Sequence, residues 1–273
     1  MPRRYLEELA RKTWLRLRYS REFGITQGEE TITDLHLLEF RMSGISDIQR
    51  VDKCPKHLER TRGLDWEWII GSNQFGWIKY AIQAKKLSLD INDLTKGRYK
   101  SLHQPFYDGS GTTQLEVLKS FARKGNMTPL YCLYNYIQKP SFLPYWNCNQ
   151  RPIDEEQLGC TVTPLKIAET AIATRGGRRF DDLHLHSETI PWRCLVSCPI
   201  ILDIYGENVK RVSKKGRRDV SSPNTIANEL LGDVVVHNEP LDTLTTSFDS
   251  EIGQGPKRLV VLDIERTIRE RIG

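Results

Sequence analysis

Gly63-Leu64-Asp65-Trp66-Glu67-Trp68-Ile69-Ile70 and Ile82-Gln83-Ala84-Lys85-Lys86, joined through the turn-forming stretch Gly71-Ser72-Asn73-Gln74-Phe75-Gly76, decide the fold class of this chain. The spacing predicts two strands of a hairpin. Side chains two apart on a strand point the same way, so Asp65 and Glu67 share one face and Trp66 and Trp68 the other. On the second strand Gln83 and Lys85 share a face. The hairpin therefore gathers a carboxylate pair, an amide oxygen and an ammonium at one spot. Such a set can bind a hard metal ion and a phosphate together. The two tryptophans, on the opposite face, are expected to pack into the core.

Working outward, residues 3–19 read as an amphipathic helix with Leu6, Leu9, Trp14 and Leu17 toward the core. A second helix is expected over 29–42, with Ile32, Leu35 and Leu38 as its apolar stripe and Gly44 ending it. Strand-like runs follow at 45–53, 58–70 and 77–87. A polar loop then leads to a helix over 113–123 and a buried strand over 130–137. The order is helix, three strands, helix, strand. In the second half, a helix is expected over 164–174, at least one buried strand within 192–205 and a short buried strand over 259–264. Residues 206–225 hold Lys210, Arg211, Lys214, Lys215, Arg217 and Arg218 among Gly, Ser and Pro, and read as a basic loop.

The 273 residues, 38% hydrophobic, suffice for one large domain or two small ones. A formal net charge of +5 is compatible with a nucleic-acid partner but does not select one. No apolar run approaches the roughly 20 residues that span a bilayer. Met1-Pro2-Arg3-Arg4 is not followed by an apolar stretch of signal-peptide type, so a cytoplasmic location without membrane contact is expected. The six cysteines include no Cys-x-x-Cys pair, which favours buried thiols over a zinc site. His103, His184 and His186 are expected to be structural.

Phosphodiester hydrolysis requires an activated water, a polarised phosphate and a stabilised leaving oxygen. Magnesium or manganese held by one or two carboxylates serves all three. In that chemistry Asp65, Gln83 and Glu67 are the candidate metal ligands, and Lys85 polarises the water or neutralises the phosphate. Glu30 and Asp34 lie four apart on one helical face. Glu30 reaches the metal if that face packs toward the hairpin, with Glu29 as its near competitor. Lys86 and Asp34 are candidate substrate contacts. The tracts around Arg175, Arg178 and Arg179 and around residues 210–218 are either solvated loops or phosphate-contacting arms.

The order of elements, with Asp65 on one strand and Gln83-Ala84-Lys85 on the next, resembles the PD-(D/E)XK nuclease superfamily. Gln83-Ala84-Lys85-Lys86 looks like the Gln-x-Lys form in the branch similar to the Mrr restriction endonucleases. Gly63-Leu64-Asp65-Trp66-Glu67-Trp68 together with Gln83-Ala84-Lys85 also resembles a group of bacterial proteins of unassigned function in that branch. The resemblance covers about residues 25–140. It implies an α/β fold with a restriction-endonuclease-like αβββαβ core, a mixed sheet flanked by helices. An N-terminal helix (1–24) would precede it. A C-terminal α/β extension (141–273), separate or packed into the same domain, would follow. It further implies Asp65 as central metal ligand, Gln83 as a second ligand, Lys85 as catalytic lysine, Glu30 as helix acid and Gln114 near the scissile phosphate. The expected activity is a Mg2+- or Mn2+-dependent endonuclease acting on DNA, in defence against foreign DNA, with a homo-oligomer or an activating protein as further partner. Two departures bear on this. Leu64 stands where proline is usual, and Gln83 replaces the usual glutamate. The second removes a negative charge and supports an alternative, an inactive nuclease-like module that binds nucleic acid or protein.

Overall fold

A computed structural model describes residues 2–54, 64–90, 93–104, 111–144, 146, 155–213, 230–232, 234–249 and 256–272. Helix α1 (Pro2–Glu22) buries Leu6, Leu9, Ala10, Thr13, Trp14 and Leu17, a stripe at helical spacing. Helix α2 (Glu29–Met42) buries Ile32, Thr33, His36, Leu37 and Phe40, while Leu38 is exposed. The expected stripe through Leu35 and Leu38 is thus rotated. Polar Thr33 and His36 face inward because each finds a partner there. Thr33 Oγ1 lies 3.0 Å from Tyr134 Oη, and Thr13 Oγ1 lies 2.9 Å from His36 Nε2.

The strands are β1 (Ile48–Lys53), β2 (Trp66–Ser72), β3 (Gly76–Lys86), β4 (Ser88–Leu89), β5 (Gly97–Arg98), β6 (Thr128–Tyr134), β7 (Cys160–Pro164), β8 (Ile190–Pro191), β9 (Val236–His237) and β10 (Arg258–Asp263). The further helices are α3 (Gln114–Lys124), α4 (Leu165–Ala173), α5 (Phe180–His184), α6 (Cys194–Ser197), α7 (Pro199–Ser213), α8 (Leu241–Asp249) and α9 (Glu265–Ile272). One mixed sheet runs in the order β1-β10-β2-β3-β6-β7-β8, with β9 paired to β3; β4 and β5 form a separate pair. The hairpin β2–β3 is antiparallel, with Glu67 opposite Ala81 and Ser72 opposite Gly76. Gly71 (φ +152°) lies so close to Gly76 across the turn that an added Cβ would meet the Gly76 carbonyl oxygen.

Helices cover both faces of the sheet, which makes the fold α/β. On one face Trp66 and Trp68 meet Phe40 of α2 edge-on, at centroid distances of 6.4 and 5.7 Å, and Trp68 packs on Trp192 at 5.4 Å. The other face carries a smaller apolar cluster of Ile69, Trp77, Leu259 and Val261 beneath Leu244 and Phe248 of α8. Among the described residues no helix is long and apolar enough to cross a membrane.

Two expectations are corrected. Residues 192–205 hold no strand: they form α6 and the first half of α7, and the nearby strand β8 comes just before them. An apolar run buried on all sides has no periodicity to separate strand from helix, and Pro199 starts α7 where its missing N–H costs nothing. Residues 206–213 likewise continue α7 rather than forming a loop. Lys214, Lys215, Arg217 and Arg218 lie outside the described residues, as do 58–63 of the strand expected over 58–70.

The topology also departs from a simple succession of strands. β10, from the C-terminal part of the chain, lies between β1 and β2, antiparallel to the first and parallel to the second. The segment read as an extension therefore supplies an interior strand of the sheet.

Candidate active site

Asp65 immediately precedes β2, and Gln83 and Lys85 lie near the end of β3, so the antiparallel register brings them to one end of the sheet. All three are buried, Asp65 to 7%, Gln83 to 4% and Lys85 to 1% exposure. Asp65 Oδ2 accepts hydrogen bonds from Gln83 Nε2 and from the Ala84 backbone N–H, the latter at 2.9 Å. Lys85 Nζ donates to Gln114 Oε1 at 2.6 Å and lies 3.8 Å from Glu29 Oε2. Gln114 is fixed as the first residue of α3, which Thr113 and Glu116 close with a capping box. Burial pushes the Lys85 ammonium below the ordinary lysine value. The Glu29 and Asp65 carboxylates oppose that shift, and the nearby Lys257 adds to it.

Glu29 and Glu30 arrive from the first turn of α2 and divide the site between them. Glu29 Oε1 accepts from the Lys86 backbone N–H at 3.0 Å and from Ser101 Oγ at 2.6 Å, while Oε2 faces Lys85. Glu30 is largely exposed and reaches Lys257 Nζ at 3.4 Å. The same Nζ lies 3.4 Å from Asp65 Oδ1. Glu30 and Asp65 thus share one ammonium. Lys257 is placed by the parallel pairing of β10 with β2: Leu259 pairs with Glu67, Pro256 bridges Leu64, and Lys257 N donates to Leu64 O at 2.9 Å. Its charge is held protonated against burial by Asp65 and Glu30, so its pKa lies above the ordinary lysine value.

The other candidates point elsewhere. Glu67 shares the face of Asp65, but its fully buried carboxylate pairs with Lys79 at 3.0 Å, and Lys79 also donates to Leu244 O at 3.2 Å. Asp34 lies between Lys53 Nζ (2.8 Å) and Arg258 Nε (2.7 Å). Burial pushes the Asp34 carboxyl up, but those hydrogen bonds outweigh it and hold the group below the usual carboxylate value. Lys86 turns to the opposite face and donates to Gln27 O. Glu67, Asp34 and Lys86 are thus engaged in the scaffold around the site.

Sequence reasoning did not identify Lys257 or Tyr131. Tyr131 pairs with Gln83 in the β3–β6 register, which puts it beside Gln83 on the same face. Burial, with the Asp65 charge second, raises the pKa of its phenol. Nothing in the sequence links Lys257 to Asp65 except that a Lys-Arg pair precedes the apolar run of β10.

Among the described residues no three of His, Cys, Asp and Glu come together as a metal-holding group. The donors gathered here are two carboxylates and one amide. Gln83 Oε1 and Tyr131 Oη are both buried without a hydrogen-bond partner among the described residues. Buried acceptors are rarely left so unless a water, ion or ligand serves them. An amide oxygen beside Asp65, whose Oδ1 shares the Lys257 ammonium with Glu30, is the hard-donor chemistry that magnesium and manganese take. The residues present therefore fit one such ion. The described cysteines Cys54, Cys132, Cys160, Cys194 and Cys198 are buried thiols. His184, also buried, bonds Thr161 Oγ1 at 2.9 Å and Phe180 O at 3.0 Å.

No curated protein and no solved structure matches this chain. It matches over residues 2–265, and belongs to, the family of unknown function DUF6615.

Proposed function

We propose that this protein is a metal-dependent nuclease that hydrolyses phosphodiester bonds, with DNA as the expected substrate. One observation carries the reading. Asp65, Gln83 and Lys85 converge at one end of two paired strands, and the buried Gln83 Oε1 has no partner among the described residues. Along the chain α2, β1, β2, β3, α3 and β6 follow the order of a restriction-endonuclease-like core, with β10 inserted between β1 and β2.

In this reading Asp65, Gln83 and Glu30 would hold a magnesium or manganese ion, which when bound polarises the phosphate and acidifies a water. Ala84 N–H and the Gln83 amide fix the Asp65 carboxylate through Oδ2, while Oδ1 faces Lys257 Nζ at 3.4 Å. Gln114 and Glu29 hold the Lys85 ammonium in place. Desolvated there, Lys85 is a preorganised donor to a non-bridging phosphate oxygen or to the attacking water. Ser101 and the Lys86 backbone in turn fix Glu29.

The test is cleavage of supercoiled plasmid, linear duplex and single strands with magnesium, manganese or EDTA. Metal-dependent cutting that Asp65→Ala abolishes and Lys85→Ala lowers by about 10²–10³ is expected, the loss typical of one preorganised donor. Cutting that survives both substitutions would overturn the assignment. A second reading, a binding module without catalysis, draws on the neutral Gln83 and on Lys257 standing between the two carboxylates. It predicts no cutting by a folded protein, with nucleic-acid retention that EDTA leaves unchanged.

A further inference from the structure

We propose that Lys257 is a built-in cation occupying the approach to the metal position, and that a divalent ion must displace it from Asp65 and Glu30. The inference rests on the nuclease reading and adds a control on metal loading. Asp65 offers one oxygen to an incoming ion, because Oδ2 already takes two N–H donors from Gln83 and Ala84. That remaining oxygen, Oδ1, faces Lys257 Nζ at 3.4 Å, and Glu30 Oε1 faces the same nitrogen at the same distance. The two carboxylates most suited to a hard cation are thus bridged by an ammonium.

The surrounding charges sharpen the competition. Glu29 faces Lys85, Asp34 is held by Lys53 and Arg258, and Glu30 and Asp65 share Lys257. Each carboxylate already has a cation, so the site carries no surplus negative charge to attract a divalent ion. Adding one beside a fixed ammonium is repulsive at short range and in a partly buried setting. Lys257 is tied at the backbone, where its N–H is bound to Leu64 O and its carbonyl oxygen accepts from Cys54 N–H, and its four-carbon side chain carries the rotamers through which the ammonium would withdraw. A nucleic-acid phosphate supplies the negative charge toward which the released ammonium can turn. Metal loading is then weak in the free protein and strengthened by substrate.

Calorimetric titration of Mn2+ into wild type, Lys257→Met, Lys257→Gln, Lys257→Arg and Asp65→Asn tests this, each protein first checked for a native circular-dichroism spectrum. Lys257→Met and Lys257→Gln should bind Mn2+ at least about tenfold more tightly than wild type, since a short-range repulsion is removed. Lys257→Arg, which keeps the charge, should stay near wild type, and Asp65→Asn should remove the binding. With a short cleavage-resistant oligonucleotide present, the gap between wild type and Lys257→Met should close. Equal Mn2+ affinity in wild type and the two neutral variants, still abolished by Asp65→Asn, overturns the role of Lys257 and leaves the metal site standing. A gap that the oligonucleotide does not close overturns the coupling to substrate. No Asp65-dependent binding in any variant, with or without oligonucleotide, overturns both the inference and the nuclease reading.

Discussion

Replacing Gln83 by glutamate probes the site without changing its shape. In the wild type the Gln83 amide donates to Asp65 Oδ2, and its own oxygen has no partner among the described residues. Gln83→Glu would set a second carboxylate against the first inside a site where Asp65 is only 7% exposed. Two like charges about 4 Å apart at an effective dielectric near 20 repel by about 4 kcal/mol. Protonating the introduced carboxylate offers an escape, which at pH 7 costs about 3.7 kcal/mol from a reference pKa near 4.3. The metal-free variant should therefore lose up to about 4 kcal/mol at pH 7, a bound set by protonation and softened by Lys257. The sign follows from the raised pKa of the introduced glutamate in the folded state. The penalty is absent below the unfolded value near 4.3, grows with pH, and levels off above the folded value. At pH 5.5 it should shrink to about 1.6 kcal/mol, because the protonated carboxyl donates to Asp65 as the amide does. At about 2 °C per kcal/mol for a chain of this size, thermal melting in EDTA should fall by about 8 °C at pH 7 and about 3 °C at pH 5.5. Manganese at about a hundred times its dissociation constant should return about 2.7 kcal/mol at pH 7. A Gln83→Glu protein that melts like wild type in EDTA at pH 7, and that manganese leaves unmoved, would refute the close pairing of residues 65 and 83 and the metal site with it.

Glu67→Ala should destabilise by about 3–5 kcal/mol in urea melts, because it strands the Lys79 ammonium, only 7% exposed, without its carboxylate. The double change Glu67→Leu with Lys79→Met should recover most of that loss, and a small effect of Glu67→Ala alone would refute the buried pair. Burial lowers the pKa of His36 to about 3 and of His184 to about 4. Both folded values lie below the unfolded one near 6.5, so stability is full above that value and falls as pH drops from 6.5 toward 4 or 3. Each histidine should remove about 2.5 kcal/mol at pH 4.5, and urea midpoints for His184→Asn should show a correspondingly flatter decline. Tyr131→Phe removes a buried hydroxyl without a partner among the described residues, so stability should change by no more than about 1 kcal/mol. Cleavage should nonetheless fall by about 10²-fold, the low end of the range for a positioned proton donor or acceptor at a site; unchanged cleavage would assign Tyr131 to the scaffold.

The hairpin was legible because its signal is local. Two strands joined by a short turn pair with each other, and alternation then dictates that Asp65, Gln83 and Lys85 share a face while Trp66 and Trp68 enter the core. Helix α2 was legible in extent but not in rotation. An amphipathic pattern assumes that polar means exposed, and Thr33 and His36 break that rule through Tyr134 and Thr13. The same assumption made Glu67 look like a free ligand. Its partner Lys79 sits two places along the other strand from the residue opposite it, a diagonal contact that strand pairing permits but does not require.

What the sequence could not disclose is carried by β10. A parallel strand joins its neighbour only through a long connection, so nothing local specifies which neighbour it takes. The apolar run announces a buried strand, yet its insertion between β1 and β2 depends on complementarity across the whole sheet. That insertion has chemical consequences in two directions. Lys257 comes alongside Asp65 on one face, and Arg258, one residue on, reaches Asp34 on the other and also contacts Asp65 O at 3.4 Å. The C-terminal part of the chain therefore contributes the ammonium beside Asp65 and ties α2 to the segment that bears Asp65. A fragment ending near residue 140 would keep the hairpin motif but lose the strand between β1 and β2. Val51 on one side and Trp68 on the other would then lack the neighbours that bury them, among them Val260, which registers with both. The motif singles out Asp65, Gln83 and Lys85, but the geometry that sets a lysine beside Asp65 is fixed some 190 residues later, at Lys257.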